Sequence, residues 1–88
     1  MVVKTDPSIK RDPPLMTAEL KEITVAGLSE VTVTFENVHV GYVGWEYNPT
    51  DDYWMQHMPN IKFKSWTSTS VTIINEASSA KTVRVMGV

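Results

Sequence analysis

The 88-residue sequence contains no cysteine, which excludes disulfides and thiolate metal sites. Its two histidines, His39 and His57, are too sparse for an imidazole metal centre. No run approaches the ~18 consecutive apolar residues of a membrane-crossing helix, so no membrane partner is expected. The opening Met-Val-Val-Lys-Thr-Asp-Pro has no apolar stretch of secretory length. Synthesis in the cytoplasm without a signal peptide is the expectation.

Catalytic signatures are missing as well. The chain has no G-x-S-x-G elbow, no H-E-x-x-H pair and no glycine-rich phosphate loop. The adjacent Asp51 and Asp52 could touch calcium, but that ion needs six to eight oxygens and no D-x-D-x-D-G loop is present. We expect a protein that is not an enzyme and holds neither cofactor nor metal.

A general excess of positive charge is also lacking. Eight Lys and Arg face ten Asp and Glu, a net charge of −2, which argues against a nucleic-acid partner. The distribution is uneven. Residues 15–57 hold one lysine against seven acids, whereas residues 58–88 hold four cations against one acid. Lys62, Lys64, Trp66 and Arg84 offer the one combination suited to single-stranded nucleic acid, although protection of a strand edge by lysine is the more ordinary explanation.

Size sets the next constraint. A domain of this length buries only about 60–65% of the surface its unfolded chain exposes. Without disulfides or a metal, further burial has to come from other copies or from a larger assembly.

What the sequence has in abundance is β-formers. Val, Ile and Thr number 12, 5 and 10, and most stand in short alternating runs. Val31, Val33 and Phe35 alternate with Thr32 and Thr34, and Val83 and Val85 alternate with Arg84 and Met86. Val38, Val40 and Tyr42 share a face in another run, as do Ile61 and Phe63, with Lys62, Lys64 and Trp66 opposite. Val71 and Ile73 alternate with Thr72, while Ile74 points to burial on both faces. Thr17 to Glu22 holds good helix formers but is too short for a stable helix, and reads as the lead-in to a strand ending near Val25. Turn residues cluster at 26–29, 48–52, 58–60 and 75–80. The fold class is therefore all-β, a small antiparallel β-sandwich or barrel of six to seven strands over residues 15–88.

Residues 1–14 differ in kind. They hold three of the five prolines and no periodic apolar face, so they read as an extended arm. Its candidate partner-binding residues are Pro7, Ile9, Lys10, Arg11, Pro13 and Pro14, laid across a neighbouring subunit or a larger assembly.

A second candidate is the segment 44–59, read as a long loop. Trp45, Tyr47, Tyr53 and Trp54 are half the aromatics in the chain, and Met55 lies beside them. Such residues are enriched at protein interfaces. Together with Asp51 and Asp52, the four aromatics also suit carbohydrate recognition, with rings stacking on sugar C–H faces and carboxylates binding hydroxyls. A third reading makes the two tryptophans a cap on the end of the sandwich.

Val31-Thr32-Val33-Thr34-Phe35, Trp66-Thr67-Ser68-Thr69-Ser70-Val71-Thr72-Ile73-Ile74-Asn75 and Ala80-Lys81-Thr82-Val83-Arg84-Val85-Met86-Gly87 resemble segments of small β-sandwich virion proteins of bacteriophages. Tail-fibre tips and H-type lectins have a similar order of strands. The F-P-x-x-F-x-x-x-P stretch that recurs in those lectins is missing here, which weighs against sugar binding of that type. The resemblance implies a homo-oligomeric virion part, with a trimer favoured. With the arm, it implies a capsid decoration or minor capsid protein, or a tail-associated one. The expected function is a non-enzymatic virion structural protein that self-associates and docks through its arm and aromatic loop. A lectin-like receptor-recognition module is the alternative.

Overall fold

A computed structural model describes residues 18–88. They form seven strands: β1 (Glu19–Val25), β2 (Glu30–Thr34), β3 (Tyr42–Asn48), β4 (Tyr53–Met55), β5 (Ile61–Trp66), β6 (Ser70–Asn75) and β7 (Lys81–Gly87). All pairings are antiparallel, and the strands divide into a four-stranded sheet, β1-β7-β3-β4, and a three-stranded sheet, β2-β6-β5. The protein is an all-β sandwich.

Alternation explains the core. Val33 is level with Val71, and Phe63 with Ile73, so the apolar side chains of the three-stranded sheet stand on one face. Val83 and Val85 face them from β7, and Val25, Phe35 and Ile61 complete the buried cluster. Thr32 and Thr72 point outward and bond through their hydroxyls at 2.8 Å. Lys64 pairs with Glu30 at 2.9 Å and Lys62 with Glu76 at 3.3 Å. The outer face of the smaller sheet is thus polar and charge-paired.

The strand expected to end near Val25 is β1, Glu19–Val25, which pairs along its whole length with β7. Three expectations about local structure change. Val38 and Val40 do not belong to a strand; residues 37–41 instead carry the chain from one sheet to the other. A bulge between Phe63 and Ser65 reverses the alternation, so Trp66 is level with Val71 and stands on the same side as Phe63, away from Lys62. Ile74 is only half-buried, on the outer face between Glu30 and Lys62.

Two polar side chains tie the crossovers down. At one end Asn75 is fully buried, and its amide donates to the carbonyls of Val25, Ala26 and Ser79 at 2.9–3.3 Å. Its own carbonyl accepts from the N–H of Ala77 at 2.9 Å. The β1–β2 turn lies against the same loop so closely that a Cβ on Gly27 would stand 2.2 Å from the Ser78 carbonyl oxygen.

At the other end, the Glu19 carboxylate accepts the N–H groups of Glu36 and Asn37 at 3.2 and 3.0 Å and lies 2.6 Å from Nε2 of buried His39. The bond from His39 is the main reason the Glu19 carboxyl is held below its ordinary value of 4.5, and the two backbone donors reinforce it. A depressed folded-state pKa stabilises the fold above the unfolded-state value, and the stabilisation disappears as pH falls through the lowered one. Glu19→Gln should therefore lower the urea midpoint at pH 7, and its gap from wild type should close as the solution is acidified below about pH 4.5. A gap unchanged down to pH 2 would remove the carboxylate from this role.

Candidate functional site

The outer face of the four-stranded sheet has the opposite character to that of its partner sheet. In β3, Gly44 and Glu46 are buried, while Val43, Trp45 and Tyr47 alternate outward. Gly44 faces inward, where a Cβ would stand 2.9 Å from the Phe63 ring and 3.2 Å from the Met58 methyl, so the core side chains would have to shift to admit one. Glu46 is inward because Asn60 satisfies it, with donors from backbone N–H and side-chain amide at 3.0 and 2.8 Å. With the inward positions taken by a glycine and a carboxylate, the bulky apolar side chains of β3 face out.

Register gathers further residues onto this face. Leu20, Met86 and Val43 form one row across β1, β7 and β3. Glu22, Arg84 and Trp45 form the next, and Tyr47 and Trp54 face each other across the β3–β4 hairpin. The Tyr47 and Trp54 ring centroids are 5.0 Å apart. Arg84 crosses this surface, its guanidinium carbon 4.0 Å from the Trp54 centroid and its Nε 3.0 Å from Glu22 Oε1. Leu20, Trp45, Trp54, Arg84 and Met86 line a shallow groove of about 200 Å³.

The segment 44–59 is therefore not one loop. Its first twelve residues are a hairpin, closed by the turn at residues 49–52. The Asn48 side-chain carbonyl accepts the N–H groups of Thr50 and Asp51 at 3.0 and 3.2 Å, an arrangement that starts turns at asparagine. Asp52 closes the turn with φ of 56°, a left-handed conformation that aspartate tolerates.

The hairpin separates the candidate residues. Trp45, Tyr47 and Trp54 come together on the outer face, whereas Tyr53 and Met55, level with Asn48 and Glu46, stand on the other side of the ribbon. Asp51 and Asp52 serve the turn itself: Asp51 accepts from the Asn48 amide at 3.4 Å and Asp52 from the Tyr47 hydroxyl. That bond is the main reason the Tyr47 phenol is raised above its ordinary value.

The arm candidates Pro7, Ile9, Lys10, Arg11, Pro13 and Pro14 lie outside the described residues. Leu20, Arg84 and Met86 were missed by sequence reasoning as members of the site. The outward alternation of Arg84 and Met86 was legible, but their neighbours depend on strand pairing.

Among the described residues no three His, Cys, Asp or Glu side chains cluster as a metal site, and no helix is long and apolar enough to cross a membrane. The face offers aromatic stacking surfaces and one oriented cation, Arg84. No protein-family model matches the chain, and no curated protein or solved structure matches it significantly.

Proposed function

We propose that this chain is a non-enzymatic virion structural protein whose copies associate through the outer face of the four-stranded sheet, while its first residues reach a larger particle. The observation that carries the docking part is the asymmetry of the two outer faces. One is threonine and paired charge; the other sets Leu20, Val43, Trp45, Tyr47, Trp54 and Met86 beside a single Glu22–Arg84 pair and a single Thr24–Thr82 pair. Trp, Tyr, Met and Arg are the residues in which interfaces are rich, and anchors already held in place lose little entropy on binding. The Glu22–Arg84–Trp54 stack holds its members in this way.

The virion assignment rests on the phage-protein resemblance. Its three segments fall largely on β2, β6 and β7, so they bear on the framework and not on the docking face.

Sedimentation of the full chain tests the association. We expect an oligomer, with a trimer favoured, and a roughly thirtyfold or greater weakening in Trp54→Ala, the size of loss typical for a central aromatic anchor. Far-UV circular dichroism should be unchanged, since Trp54 stands outside the core. A wild-type chain that stays monomeric at all concentrations would overturn the self-association.

One observation favours a second reading. The groove between Trp45 and Trp54 has stacking faces with the Arg84–Glu22 pair at its edge, a composition that also suits a sugar ring. Binding on a glycan array, lost in Trp54→Ala, would make the face a lectin site.

A further inference from the structure

Backbone pairing leaves β2 at the edge of the order β2-β6-β5, and among the described residues no strand pairs with its far side. Two bonds at its ends fix which groups are left over. The Asn75 N–H donates to the Ser29 carbonyl at 2.8 Å, and the Phe35 N–H to the Thr69 carbonyl at 2.7 Å. Residues 29 and 35 thus bond toward the β6 side, and by alternation so do Val31 and Val33, level with Ile73 and Val71. Thr32 and Thr72 are then a pair without backbone bonds, where side chains approach closely, as their 2.8 Å hydroxyl contact shows. The N–H and C=O groups of Glu30, Thr32 and Thr34 accordingly point away from β6, into the open side.

Open edges are commonly guarded by lysine, an inward-pointing charge, a bulge or shortness. β5 has Lys62, Lys64 and its bulge between Phe63 and Ser65. β1 turns Lys21 to the inward side, its ammonium 5.7 Å from the Phe35 centroid. β4 is only three residues long. β2, Glu-Val-Thr-Val-Thr, has none of these guards, and its one charge, Glu30, is already paired with Lys64. Val31 is 36% exposed although it stands on the core side of the sheet.

We infer that β2 pairs with β2 of a second copy, antiparallel about a two-fold axis at Thr32. The strand is self-complementary in that register. Glu30 is set against the partner's Thr34, Val31 against the partner's Val33, and Thr32 against the partner's Thr32, so no like charges meet. The groups on the open side belong to residues 30, 32 and 34, and these face one another as three pairs, each exchanging two bonds. Val31 gains a β-branched neighbour that covers it. The equivalent arrangement fails on β5, where centring on Phe63 sets Lys62 against the partner's Lys64. This contact is separate from the proposed docking face, which belongs to the other sheet, and does not rest on it.

The cysteine-free chain allows a direct test by single cysteines. In this register Thr32 and the partner's Thr32 have Cα atoms about 5.5 Å apart, inside the roughly 4.4–6.8 Å that a disulfide spans. Thr34 and the partner's Thr34 are four residues out of step, about 13 Å apart. Under mild oxidation, full-length Thr32→Cys should form a linked dimer roughly tenfold or more faster than full-length Thr34→Cys. It should do so equally in a Trp54→Ala background. Equal rates for the two cysteines overturn the pairing, and so does linkage that disappears with Trp54→Ala, because the contact then follows from the aromatic face.

Hydrogen exchange gives a reading without cysteine. The amides of Glu30, Thr32 and Thr34 should become several-fold more protected as the wild-type chain is concentrated. They should stay unprotected in Thr32→Lys, which opposes two lysines, while the Val31 and Val33 amides remain protected and show that the sheet is intact. Protection of residues 30, 32 and 34 that does not depend on concentration overturns the pairing and assigns the edge to other residues of the same chain. Absence of protection at every concentration overturns it as well.

Discussion

Asn75→Leu is expected to remove about 3–5 kcal/mol of folding stability, most of what a domain of this size possesses. Leucine is close to asparagine in size, so the loss comes from polarity and not from a cavity. Among the described residues, Asn75 is the sole side-chain partner of three carbonyls, those of Val25, Ala26 and Ser79, and of the Ala77 N–H. Each buried group left without a partner costs roughly 1–3 kcal/mol. Asn75→Asp should be no milder, because it keeps the acceptor for Ala77 but places negative charge against three carbonyl oxygens. Urea unfolding followed by tryptophan fluorescence measures both variants. A loss below about 1 kcal/mol for Asn75→Leu would mean that water replaces the amide and that the crossovers do not depend on it.

Gly87→Ala should be comparably damaging, which reverses the usual direction of the substitution. At a position with an ordinary negative φ, alanine in place of glycine typically stabilises by about 0.4–1 kcal/mol through the unfolded chain. No described glycine has a positive φ, so backbone freedom does not explain Gly87. Space does. A Cβ there would stand 2.4, 2.5 and 2.7 Å from Cδ2, Cγ and Nε2 of the His39 ring.

That ring has nowhere to retreat. Its Nε2 is tied to Glu19, and Phe35 and Tyr42 pack beside it with centroids at 5.5 and 6.0 Å. Overpacking of this kind costs about 1–3 kcal/mol and more where neighbours are fixed. The double variant Gly87→Ala/His39→Ala should recover part of the loss, a coupling that a thermodynamic cycle reads directly. If the two losses simply add, the ring and the glycine are not the contact that matters.

The β1 strand shows why parts of the fold were harder to read than others. Glu19 to Glu22 has the composition of a helix turn, and only pairing with β7 makes it a strand; tertiary context commonly overrides a short local preference. β3 is the reverse case. Its alternation is regular but inverted, with Gly44 and Glu46 inside and Val43, Trp45 and Tyr47 outside. A search for apolar residues facing inward passes over such a strand and finds a loop. The inversion is the feature on which the proposed docking face rests. Trp66 was misplaced for a related reason: strict alternation sets it beside Lys62 and Lys64, and one bulged residue moves it to the other side.

The absence of cysteine, the abundance of Val, Ile and Thr, and period-two alternation were sufficient for an all-β sandwich without disulfides. These are properties of each strand alone, and the hydrophobic effect acts on them whatever the neighbours are. The aromatic wealth of residues 44–59 marked the segment that supplies three aromatics of the outer face. Which of those aromatics act together was decided by the hairpin, which turns Trp45, Tyr47 and Trp54 to one face and Tyr53 and Met55 to the other. Leu20, Arg84 and Met86 joined them only through the β1-β7-β3 order. Strand order and register depend on contacts between residues tens of positions apart, and no local pattern encodes those.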